Sequence, residues 1–176
     1  MKKEVALEEV VGVTLDTMRK VGLLLVSVDK EGKPNAMTIG WGFIGILWAE
    51  PSFVIAVRPS RYTYKLLEES NDFTVNVPAK GMEDVVSYCG TVSGRYTDKF
   101  KDCNLTSLKS KYVKSPIIKE CIIHYECIVR YKYDLEPSKV PRDITSLWYP
   151  TNDFHRIYIG RIEAVYADED YKSKTY

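Results

Sequence analysis

The sequence carries no surplus of charge of either sign, with 25 basic residues facing 24 acidic ones. A nucleic-acid partner or an anionic membrane surface therefore has no compositional support. No run approaches the roughly 20 apolar residues of a membrane-spanning helix. Residues 2–9 (KKEVALEE) are charged where a signal peptide would place its apolar core. Both absences lead us to expect a soluble, cytoplasmic protein. Histidine is scarce, with 2 in the chain (His124 and His155), and no serine sits in a nucleophile-elbow pattern. Hydrolase chemistry is thus left without its parts. Neither GxGxxG nor GxxxxGK(S/T) occurs, so neither a dinucleotide-binding fold nor a P-loop is signalled.

The 4 cysteines (Cys89, Cys103, Cys121 and Cys127) form no CxxC pair. Cys121, His124 and Cys127 do share a spacing that metal ligands use. The stretch from 121 to 135, however, alternates in the manner of a strand, which turns His124 away from both cysteines. Two small thiols buried in a strand is the reading, and no metal site is expected.

What is present is apolar substance: 45 % of 176 residues are hydrophobic, enough for one domain spanning residues 1–176. The pattern predicts an amphipathic helix over 4–19 and a strand buried on both faces over 22–29 (GLLLVSVD). A turn at DKEG leads into a returning strand from Pro34 to about Trp48, bent at Gly40, Gly42 and Gly45 as at a barrel corner. AEPS then turns the chain into FVIAVRP (53–59). Ser60 is positioned to cap a helix that ends near Ser70 and Asn71. DFTVNVP reads as a strand and MEDVVSYC as a short helix. A glycine- and hydroxyl-rich segment follows, and the chain to Ser115 reads as a polar surface loop. A long strand (121–135), a proline-bearing loop, a last strand (154–168) and a loosely held tail complete the chain. About six strands, mostly antiparallel, with two or three short helices indicate an α+β description built on a small closed or split β-barrel.

Three stretches could carry chemistry. In RPSRYT, a helix start at Ser60 with Arg61 and Thr63 offers free N–H groups and a cation to an anion such as phosphate. The same residues also describe an ordinary capped helix. In SGRYTDKF, Ser93, Gly94, Arg95 and Lys99 can surround an anion, or form a solvated basic loop with Asp98 pairing locally. In NAMTIGW, glycines permit close backbone approach while Asn35, Thr38 and Trp41 supply hydrogen bonds and a flat face. An isoalloxazine ring needs those things, although a tryptophan beside a glycine-lined strand also reads as simple core.

Taken in this order, NAMTIGW, FVIAVRPSRYTYKLLEESNDFTVNVP and SGRYTDKF resemble the flavin reductase-like FMN-binding family, its flavoredoxin-type members above all. The resemblance runs from residue 21 to 105, with an echo in NDFHRIYIGRIEAVYAD. It implies a mainly β, antiparallel, Greek-key split barrel with short flanking helices, dimerising as a homodimer with FMN at or near the interface. It also implies electron transfer from NADH or NADPH to free flavin, ferric complexes or a redox protein partner. A non-catalytic FMN electron carrier is the other function it allows. By this resemblance Asn35, Thr38 and Trp41 contact the flavin ring, and Met37 contributes through backbone and packing. Arg61, Tyr62 and Thr63 hold the ribityl phosphate end. Lys99 is a further flavin contact with Ser93 and Arg95 beside it, Asn76 braces the site, and His155 reaches the ring from the last strand. The sequence departs from the pattern at Gly40, where relatives often carry serine or alanine, and at Tyr62, where histidine is frequent.

Overall fold

A computed structural model describes residues 2–176. The first strand, β1 (Lys2–Glu4), leads into helix α1 (Leu7–Lys20), which buries Val10, Thr14, Thr17 and Met18. That spacing of four, three and one is one face of a helix. Glu8 and Glu9 in its first turn and Arg19 and Lys20 in its last complement the helix dipole. Strand β2 (Leu23–Val28) is buried along its whole length. Leu23 and Leu25 face the main core, while Leu24 and Val26 face a second apolar cluster. Each such side chain contributes about 1.5–3 kcal/mol of burial.

The DKEG turn forms as the sequence predicts, with the Asp29 carboxylate accepting from the N–H groups of Glu31 and Lys33 at 3.0 and 2.8 Å. It returns the chain as β3 (Pro34–Ile39), antiparallel to β2. The expected long strand to Trp48 is in fact two. The chain breaks at Gly40 and Trp41 and resumes as β4 (Gly42–Leu47), which pairs with β5 (Glu50–Val57) instead. The turn between them is Trp48–Ala49, both with left-handed φ (53° and 59°), one step earlier than AEPS. Edge pairing of β4 on β5 decides this: a side chain at Gly42 would place its Cβ 2.4 Å from the Val54 carbonyl oxygen.

Helix α2 (Tyr62–Ser70), strand β6 (Asp72–Val77), helices α3 (Glu83–Thr91) and α4 (Lys99–Asp102) and the short strands β7 (Ser107–Leu108) and β8 (Ile117–Ile118) follow. Strand β9 (Ile123–Asp134), helix α5 (Arg142–Trp148) and strand β10 (Arg156–Asp168) complete the order. The main sheet runs β3-β2-β6-β9-β10-β5-β4 and is antiparallel throughout, with β1 added on β10. Register shifts in β10 near Gly160 and Ala164 let it curve. Strands β3 and β4 thus lie at opposite ends of a sheet that curls without closing, a split β-barrel. The corner foreseen at the glycines is real, and it carries the chain from one end of the sheet to the other. Inside, Phe53 meets Tyr125 edge to face at 5.1 Å, among Leu25, Ile55, Phe73 and Tyr158.

The stretch expected as a surface loop and the tail expected to be loosely held are both tied to the core. The stretch before Ser115 is held by buried carboxylates, Asp72 accepting from Ser115 N–H and Glu126 from Lys111 and Tyr112 N–H. In the tail, Tyr171 is buried and donates to the Glu9 carbonyl, and the Tyr176 hydroxyl donates to that of Ala79.

Candidate functional site

The barrel corner, the start of α2 and the loop between α3 and α4 converge on two adjoining clefts. The inner cleft, of about 100 Å³, is lined by Asn35, Tyr62, Thr63, Ser93, Arg95 and Lys99. The outer, of about 190 Å³, is lined by Thr38, Trp41, Arg58, Trp148 and His155. Met37 and Arg61 line both. Neither alone reaches the roughly 300 Å³ of an ordinary ligand pocket. All of the residues singled out in the sequence for the flavin line one or the other of these two clefts.

In the inner cleft Asn35 is buried and its Nδ2 donates to Thr63 Oγ1 at 3.0 Å, which fixes β3 against α2. The loop carrying Ser93 presses on this pair at Gly94, where a Cβ would stand 1.9 Å from Asn35 Oδ1. Only glycine lets the backbone come so near. Lys99 is 4 % exposed and spends one of its three donors on the Cys89 carbonyl, at 2.7 Å. Burial, and the neighbouring Arg61, pull its ammonium below the usual lysine range. Arg95 donates to the Ser60 carbonyl at 2.9 Å and lies over the Tyr62 ring. No carboxylate lines this cleft.

Ser60 is not the cap the sequence suggested. Helix α2 begins one residue later, with Arg61 at the capping position and no side-chain cap. The Ser60 hydroxyl donates instead to the Asp153 carboxylate at 2.5 Å, a stronger acceptor than it is a cap. The consequence is an uncapped helix start. Among the described residues, the N–H groups of Tyr62 and Thr63 and the Arg61 guanidinium have no protein partner. That is the arrangement an anion can use.

The outer cleft is aromatic. Trp41 stands edge to face with Trp148 at 5.0 Å and lies 4.8 Å from the His155 ring. Tyr149 stacks on Phe154 at 4.3 Å, and its hydroxyl shares a hydrogen bond of 2.9 Å with His155 Nδ1. Arg58 clamps the segment, donating to the carbonyls of Trp148 and Asp153 at 2.8 and 3.1 Å, with its guanidinium over the Tyr149 ring. Burial first, then the charge of Arg58, pushes His155 down to about 4, so its imidazole is neutral near pH 7. Thr38 lines this cleft, yet its hydroxyl donates to the Val86 carbonyl at 2.5 Å and ties β3 to α3.

The sequence reading missed Arg58, Trp148, Tyr149 and all of α5. The signal was there in Pro141 before RDITSLW and Pro150 just after it, a proline at each end of a short helix. Asn76 is away from both clefts: it donates to the Leu24 carbonyl and accepts from Ile118 N–H and His124 Nδ1, bracing the core. Trp48 sits at the β4–β5 tip against Tyr131, outside the clefts.

Residues 18–176 match the model of the flavin reductase like domain. The chain belongs to that family. This flavin reductase-like chain is 30 % identical over 152 residues to an uncharacterised protein of Pyrococcus abyssi, covering 84 % of this chain and 75 % of that one. It is 38 % identical over 97 residues to an uncharacterised protein of Archaeoglobus fulgidus, a match spanning 55 % of this chain and 54 % of that relative. Its fold is that of flavoredoxin from Methanosarcina acetivorans, at 29 % identity and a TM-score of 0.65, over 89 % of this chain and 74 % of that one. Flavoredoxin of Desulfovibrio vulgaris (Miyazaki F) gives 25 % identity and a TM-score of 0.68, over 85 % and 70 %. Membership in the flavin reductase-like family carries a flavin-related redox role. The residues fit such a group: a cationic cleft free of carboxylates, narrowed by Gly94, opens into one walled by rings.

Proposed function

We propose that the protein binds FMN across both clefts and works as an NAD(P)H-dependent flavin oxidoreductase. The observation that carries this reading is the pair of adjoining clefts, cationic within and aromatic without, joined at Arg61. A phosphate tail requires the first and a flat heterocycle the second. Arg61, Arg95 and Lys99, the Ser93 hydroxyl and the N–H groups of Tyr62 and Thr63 hold the phosphate. Asn35, Met37 and Thr38 border the ring along β3, with Trp41 and His155 at its outer side. Bound FMN supplies hydride and single-electron chemistry, and the protein supplies position, electrostatics and shielding from water. Trp41 and Trp148 do the shielding. A neutral His155 leaves Arg58 and Arg61 as the positive charges beside the ring. NADH or NADPH is the donor, and free flavin, a ferric complex or a redox protein is the acceptor, in the cytoplasm.

The molecule acts as a homodimer in this reading. Phe43 and Ile46 on the edge strand β4 are 59 and 71 % exposed and border an apolar groove with Leu47 and Val54, and Trp48 in the turn that follows is 61 % exposed. An open, apolar edge of this kind calls for a partner surface, and a second copy supplies one.

The functional test uses protein saturated with FMN and freed of excess, mixed without oxygen with NADH and then NADPH. Rapid bleaching of the visible flavin band is expected with one of them. Retained flavin that stays oxidised with both would replace the reductase by an electron carrier fed from another protein.

A further inference from the structure

The outer cleft contains one polar pair that FMN retention does not require. His155 is 8 % exposed and sits at the entry to β10, with Trp41 on one side and Tyr149 on the other. Its Nδ1 meets the Tyr149 hydroxyl at 2.9 Å, and that hydroxyl has no other partner among the described residues. No hydrogen bond joins its Nε2 to another group among the described residues, and the ring lines the cleft. The charged groups around it are Arg58 at the end of β5, Arg61 at the start of α2, and Asp153 in the preceding loop. Two positive charges against one negative favour the neutral ring, as does burial.

A neutral imidazole has one proton and two nitrogens, so its partner decides which nitrogen keeps it. A phenol is the stronger acid of the two groups; burial raises Tyr149 above the usual tyrosine range, and Arg58 over its ring at 5.1 Å works against that rise. A hydroxyl that gives its hydrogen to Nδ1 leaves the ring proton on Nε2. The position of the Tyr149 ring is held by stacking on Phe154, and Arg58 holds the carbonyl of Trp148 next to it.

We propose that Tyr149 is a positioning residue that fixes His155 as the Nε2-protonated neutral imidazole, aiming one N–H donor at a carbonyl oxygen of a flat heterocycle in the outer cleft. This rests on the proposed FMN site and adds to it. A neutral donor fixed in place stabilises charge that gathers on such an oxygen without exchanging a proton near pH 7. The acceptor is a carbonyl of the flavin or the carboxamide of a nicotinamide, which share this chemistry. The placement also gives α5 a use: it delivers Tyr149 to the far side of His155.

The test is a long-range 15N–1H correlation of the imidazole nitrogens, recorded at pH 7 on labelled protein without flavin. The chain has 2 histidines, so His155→Gln assigns the signals, and His124, buried in the core, reports that the fold is intact. The expected result is a proton on Nε2 of His155 in the native protein, and in Tyr149→Phe a mixture of both tautomers. A proton on Nδ1 in the native protein, or an unchanged Nε2–H form in Tyr149→Phe, overturns the proposal. FMN is then added, followed by NAD+. A shift at Nε2 with FMN alone makes the flavin the acceptor, and a shift on adding NAD+ makes it the nicotinamide. FMN that binds while Nε2 is unmoved by either overturns the donor role. A protein that takes up no FMN overturns the cofactor reading, while the tautomer measurement still decides for or against Tyr149.

Discussion

The two clefts are built by different means. The inner one is made of short neighbouring segments, Arg61 to Thr63 and Ser93 to Lys99, set against Asn35 and locked by hydrogen bonds and close packing. The outer one brings Trp41 from the barrel corner to Trp148, Tyr149 and His155 near the other end of the chain, and holds them by ring contacts and by Arg58. The first is a closely packed cationic cleft. The second is a wall of rings, two of them well exposed, resting on a short helix. In this account affinity belongs to the first and the environment of the ring to the second.

Arg61→Ala strikes where the clefts meet and has the largest expected effect. Charge-assisted hydrogen bonds are worth roughly 1.5–3 kcal/mol, so FMN affinity should fall about 10- to 100-fold by fluorescence titration. An unchanged affinity would remove Arg61 from the phosphate site.

Next in size is a pH effect confined to the outer cleft. His155 titrates near 4 in the folded protein and at about 6.5 when unfolded. Between those values the unfolded chain binds the extra proton, so stability rises with pH across this window and is lost as pH falls from 6.5 towards 4. The contribution is on the order of 2 kcal/mol. Burial lowers His124 as well, so the informative comparison is with His155→Gln. Denaturant unfolding at pH 7 and pH 5 should show a smaller difference in that variant.

Gly94→Ala sharpens the other side of the comparison. Its Cβ would overlap Asn35 Oδ1, so the loop must retreat and strain the contact between Asn35 and Thr63. A loss of about 1–2 kcal/mol in thermal unfolding is expected, accompanied by weaker FMN binding. Equal stability and binding would mean that the inner cleft is less closely packed than described.

The smallest effect belongs to Trp148→Ala. This ring is 47 % exposed and meets Trp41 at 5.0 Å, a contact worth about 0.5–1.5 kcal/mol. FMN affinity should drop about fivefold or less, while the flavin spectrum changes as the ring is opened to water.

The contrast also explains what could be read from the sequence. GLLLVSVD and DKEG read correctly because continuous burial and an Asp–Gly turn are local properties. The inner-cleft residues were found because a helix start and a glycine-bearing loop leave marks over a few positions. Ser60 misled because its competitor, Asp153, lies on a distant loop. The break at Gly40 was read as a bend, since only the sheet order reveals that the chain changes ends there. Trp148 and Tyr149 escaped because a seven-residue helix between prolines has no sustained period, and their meeting with Trp41 and His155 exists only in the fold.

The most direct measurement is a paired titration of the flavin-free protein with FMN and with riboflavin. One ligand spanning both clefts, with its phosphate in the inner one, predicts one FMN per chain, riboflavin binding at least tenfold weaker, and the difference largely lost in Arg61→Ala. Equal affinities for the two flavins, or a preference that Arg61→Ala leaves intact, would contradict the account.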